Sequence, residues 1–128
     1  MNNSRTIEWV LRVAVAGEFV GHGVIALLNL NPKWAGWVQY FLPVSHEAAV
    51  ATLFWVGVMD LLVALLVLVK PIRIALLWAA IWGFWTALLR PIVGETIWDF
   101  IERWANWGAP LALLFLRGWP LAPREWLK

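Results

Sequence analysis

The sequence predicts an all-α integral membrane protein, an up-down four-helix transmembrane bundle with a short interfacial helix between spans one and two. Three observations predict it. Of the 128 residues, 62% are hydrophobic and only 14% charged, against about 25% charged for an ordinary soluble domain. Mean hydropathy is +0.74, and too few polar residues exist to give every helix a wet face. The apolar residues gather into four stretches near the ~20 residues that a bilayer crossing needs.

The first span is expected over 7–30, ended by Asn29, Asn31 and Pro32. Segment 32–42 is too short to cross. In it Trp34, Trp37, Val38 and Phe41 recur at i, i+3, i+4 and i+7, which puts them on one face of a short helix. Asn31 suits the N-cap and Pro32 the N1 position. Two tryptophans on the apolar face fit a helix lying in the interface plane; a loop helix packed on the bundle fits the same pattern. Pro43 and Ser45 precede the second span, 47–69. Lys70-Pro71 turns the chain into the third, 72–90, which Arg90-Pro91 and Gly94 close. Thr96, with Asp99 three residues on, resembles a capping box and opens the fourth span, 97–116. Gly118, Pro120 and Pro123 stop it and leave a short tail. Short connections force antiparallel neighbours, so residues 1–128 form a single transmembrane domain.

The basic residues orient the bundle. Arg5, Arg12, Lys70, Arg73, Arg117, Arg124 and Lys128 fall at one end; Lys33, Arg90 and Arg103 fall at the other, beside Glu47, Glu95, Asp99 and Glu102. The positive-inside rule then places both termini in the cytoplasm and the chain in the cytoplasmic (inner) membrane. Ala14-Val15-Ala16 has the look of a cleavage site, but Glu8 and Arg12 break the apolar region before it, so no cleaved signal is expected. There are no cysteines, which excludes disulfides and thiolate ligands. A net charge of +2, spread over helix ends, excludes a nucleic-acid surface. The expected partners are the lipid bilayer and either a redox subunit or further copies of the chain.

Each span carries polar groups where hydrocarbon would penalise them, by about 2.5–3.5 kcal/mol per charge at the low estimate. Glu18 and His22 are one turn apart and share a face, beside the small residues Gly17 and Gly21. Asp60 lies at similar depth in the second span, on a face with Gly57 and Ala64. Small residues on these faces would admit a neighbouring helix. Trp82, Thr86 and Arg90 form a stripe in the third span. Asp99, Glu102, Arg103, Asn106 and Pro110 form one in the fourth, with Trp104 and Trp107 near it. Glu18, His22 and Asp60 are the candidate catalytic or proton-handling groups. Arg90, Glu102, Arg103, Asn106, Trp82 and Trp107 are the candidate ligand contacts. Structural readings stand beside these: Asp99 as a cap, Arg90 and Arg103 paired with Glu95, Asp99 or Glu102, and His22 hydrogen-bonded to Glu18. With two histidines at different depths and no ligand spacing, no metal site is expected.

Gly21-His22-Gly23 resembles the "HG" signature of DoxX-like membrane proteins. Asp60 stands where that family often has an acidic residue in its second span, and the basic–Pro turn and Arg73 are similar too. The resemblance implies a small subunit of a quinone-linked oxidoreductase, such as thiosulfate:quinone oxidoreductase, with quinone as the cofactor and His22 and Asp60 in its pocket. Residues 90–95 and 102–107 match no feature of that family. The residues also admit a proton-coupled transporter working as an oligomer, an intramembrane acid–base enzyme acting on a lipid, and a non-catalytic assembly subunit.

Overall fold

The structure, a computed structural model, describes residues 2–128 and is all-helical over them. Helix α1 spans Asn3–Leu27, α2 Lys33–Phe41, α3 His46–Val69, α4 Arg73–Ile92, α5 Ile97–Ile101 and α6 Ala105–Arg117; a short 3-10 helix, Pro123–Leu127, follows. Helices α1, α3 and α4 are long and apolar enough to cross a membrane.

Local chemistry sets the boundaries. Asn2 Oδ1 accepts from Arg5 N–H at 2.9 Å, so α1 begins earlier than residue 7. It ends at Leu27, where Asn29 turns to a φ of 51°. Asn31 Oδ1 accepts from Lys33 N–H at 3.0 Å and starts α2. Ser45 Oγ does the same for Ala48 N–H at the head of α3. Thr96 occupies the N-cap of α5 but makes no capping bond with its side chain.

The fourth apolar stretch departs from the expected continuous helix over 97–116. It is split into α5 and α6 by a turn at residues 102–104. Arg103 Nη1 takes the Asp99 carbonyl at 2.9 Å, the acceptor that Arg103 N–H would use in an α-helix. Arg103 N–H turns instead to Phe100 O. Further on, Pro110 lacks the N–H that the Asn106 carbonyl would receive. At 13 residues α6 is about 20 Å long, short of the ~30 Å hydrocarbon core.

Helix α1 packs mainly on α3, and α4 mainly on α6 and α5; α1 also meets α6, while α3 and α4 make only a small contact. Two glycines set the closest crossings. A Cβ on Gly57 would fall 2.6 Å from Gly23 O and 2.7 Å from Leu27 N. A Cβ on Gly83 would fall on the Asn106 carbonyl, the one freed by Pro110. Gly17 and Gly21, expected to admit a neighbour, face open space.

The half of the bundle near the chain termini is dry. Val15, Ala16, Phe19, Val63, Val67, Leu76, Leu113 and Leu114 form its core. Arginines lace its end. Arg12 donates to the Val67 and Leu68 carbonyls at the close of α3. Arg73 donates to Arg117 O at 2.5 Å, Gly118 O at 2.7 Å and Lys128 O at 3.0 Å. Arg117 pairs with Glu8 at 2.9 Å. Guanidinium groups thus satisfy carbonyls that two helices leave open. The expected tail is therefore folded: Trp126 packs on the core and meets Trp119 edge to face at 5.3 Å. The opposite end opens into a cavity, roofed by α2.

Candidate functional site, a cavity between α3 and α4

Where α3 and α4 diverge, a cavity of about 320 Å³ opens between them. That is at the small end of the range for ligand pockets. Helix α2 crosses its far end and turns Trp34, Trp37, Val38 and Phe41 into it. These four residues are the face that the i, i+3, i+4, i+7 spacing predicts. Ala35, fully buried, seats α2 on Ala49 and Leu53 of α3. From α3 come Thr52, Leu53, Val56 and Asp60; from α4 come Trp82, Trp85, Thr86, Leu89 and Arg90; α1 supplies His22. Below Trp82, Trp78 stacks at 5.5 Å and its indole N–H donates to Met59 Sδ at 3.0 Å, bridging α4 to α3.

Four of the expected site residues meet here: His22, Asp60, Trp82 and Arg90. Glu18, Glu102, Arg103, Asn106 and Trp107 do not line the cavity. Glu18 lies on α1 off the buried stripe of Val15, Phe19 and Gly23. His22 is not bonded to it; its ring meets Trp34 edge to face at 6.0 Å. Arg103 pairs with Glu102 at 2.7 Å and with Asp99 at 3.9 Å. Glu95 takes Lys33 at 3.5 Å rather than Arg90. The turn at 102–104 breaks the expected stripe, and Asn106 packs its backbone against Gly83.

The polar groups of the cavity are few and poorly matched within the protein. Asp60 is 2% exposed and its Oδ1 has no hydrogen-bond partner. Arg90 is 7% exposed, its Nε is likewise unpartnered, and its guanidinium lies over the Trp37 ring at 5.0 Å. Trp34 Nε1 is the third such atom. Unpartnered buried groups cost about 1–3 kcal/mol each, and native proteins keep few of them. The surrounding wall is aromatic and aliphatic. Trp34 and Trp37 stack at 6.2 Å, and Phe41 meets Trp85 at 5.3 Å. Such a site suits a flat apolar molecule with polar atoms on its rim. Among the described residues no three His, Asp or Glu side chains converge as a metal site.

Residue spacing alone picks out the α2 face but not its direction, and it misses Thr52, Leu53, Val56 and Leu89. Those are ordinary apolar or small polar residues whose only signal is their place around Asp60 and Arg90. Comparisons with protein-family models, with curated proteins and with solved structures each gave no match.

Proposed function

We propose that this chain is a small membrane subunit of a quinone-linked redox system, and that the cavity between α3 and α4 holds the quinone ring. The observation that carries the reading is Asp60, a buried carboxyl with an unpartnered oxygen in an aromatic-walled cavity that His22 shares. Trp82 and Trp85 offer flat faces for a ring, and each such contact is worth about 0.5–1.5 kcal/mol beyond its burial. A bound quinone supplies two-electron chemistry. Asp60 and His22 would bind its oxygens and hold or pass protons, while the apolar wall keeps bulk water away. The isoprenoid-type tail would leave through the gap between α3 and α4 into the bilayer. The likeness of Gly21-His22-Gly23 and Asp60 to the DoxX-like pattern points the same way.

In this reading the chain sits in the cytoplasmic membrane with both termini inside, and α5, the turn and α6 together make a fourth crossing beside α4. The electron partner is another subunit. Purification of the full chain in mild detergent, followed by solvent extraction, tests the proposal. Near-stoichiometric quinone is expected, reduced at least ~10-fold in Asp60→Asn and in His22→Ala, in line with loss of a hydrogen bond to a charged group. Glu18→Gln, outside the cavity, should retain it. No extractable quinone, and none taken up when added, would sink the reading. The presence of Asp60 and His22 in one cavity also favours acid–base chemistry on a lipophilic substrate. In that case the extract holds a non-quinone lipid that the protein converts.

A further inference from the structure

A second feature of the cavity is independent of quinone. Arg90 sits at its α2 end without an ion pair. The five ion pairs among the described residues do not include it. Every carboxylate in its neighbourhood is engaged elsewhere: Glu95 by Lys33, Asp99 and Glu102 by Arg103. Asp60, in the same cavity, is at the other end. It lies nine residues before Val69 and Arg90 seventeen after Arg73, a difference of about 12 Å along antiparallel helices at ~1.5 Å per residue.

A guanidinium keeps its charge when buried, and taking it out of water is costly. The Trp37 face returns only part of that through the cation–π contact. Beside it, Trp34 stacks on Trp37 and brings a second buried N–H that has no acceptor. Arg90 lies over the Trp37 ring and Trp34 stacks on that ring, inside an apolar wall.

We propose that Arg90 and the Trp34 indole N–H form an oxyanion subsite at the α2 end of the cavity, with Trp37 as its platform. A carboxylate or phosphate would take both donors, and a planar carboxylate matches the guanidinium fork. The anion is either the head of an acidic amphiphile, its chain lying between α3 and α4, or a free ion reaching the cavity past α2.

The test uses the full chain in an uncharged maltoside detergent, with tryptophan fluorescence and thermal unfolding as readouts. The probes are oleate, methyl oleate and inorganic phosphate. Oleate should bind at least ~10-fold more tightly than its ester. Phosphate that fails to displace oleate identifies a lipid-borne anion; phosphate that binds alone identifies a free one. Either result supports the subsite if Arg90→Met abolishes it. Trp34→Phe, which keeps the ring and loses the N–H, should weaken binding several-fold. Without anion, Arg90→Met should unfold at the same or a higher temperature than the parent, because it removes an unpaired buried charge. Oleate should raise the midpoint of the parent and leave that of Arg90→Met unmoved. Equal binding of oleate and methyl oleate with no binding of phosphate would overturn the proposal. So would unaltered binding by Arg90→Met, or its failure to fold. Quinone content, measured on the same preparations, is read through Asp60→Asn and so fails or stands separately.

Discussion

Asp60 and Arg90 show how far single residues reveal a site. Their charge in an apolar context makes both visible in the sequence, and both prove to be buried in one cavity. Glu18, with the same apparent signal, does not line it, because it lies on α1 off the buried stripe of Val15, Phe19 and Gly23. Glycines divide the same way. Gly57 is required by contact with the backbone of Gly23 and Leu27, whereas Gly17 meets nothing. Composition cannot distinguish them; only the crossing point can. Gly57→Ala should therefore destabilise the protein by about 1–3 kcal/mol through overpacking. Gly17→Ala should be neutral or stabilising by up to ~1 kcal/mol from lost chain freedom in the unfolded state. Thermal unfolding in detergent of the two variants against the parent measures the contrast, and equal midpoints would contradict the assigned crossing.

At the scale of elements, the three long helices and α2 were legible from hydropathy, proline and cap residues. The direction of α2 was not. Its apolar face reads equally as a membrane-facing or a bundle-facing surface until Ala35 is seen against Ala49 and Leu53. The break between α5 and α6 was also hidden, because Arg103 replaces a backbone donor with a side-chain one, a substitution that periodicity does not register. The folded C-terminal segment depends on Arg73, which binds carbonyls at residues 117, 118 and 128. Arg73→Ala should release residues 119–128. Faster amide exchange there and a red-shifted tryptophan emission are expected, with exchange in α1 unchanged. Unaltered exchange at 119–128 would show that Trp119 and Trp126 hold the segment without it.

As a whole molecule, the chain divides into a close-packed half, laced at its end by Arg12, Arg73 and Arg117, and a half that parts between α3 and α4. The loose seam follows from the pairing of helices: α1 takes up α3 and α6 takes up α4, each at a glycine crossing, and the two pairs meet more along α1 and α6 than along α3 and α4. The indoles of Trp82 and Trp85 line the seam. The division into dry and polar halves follows from the depth of the polar residues; the location of the cavity needed the helix pairing. If the seam is the ligand site, labelling should be confined to it. A photoreactive quinone analogue, irradiated with the full chain in detergent and mapped by peptide mass spectrometry, is the most direct measurement. Labels on residues 34–42 and 82–90, competed by unlabelled quinone and lost in Asp60→Asn, are the predicted result. Labels on outward-facing Trp55 and Trp98, which are 67% and 69% exposed, with none in the cavity, would contradict it.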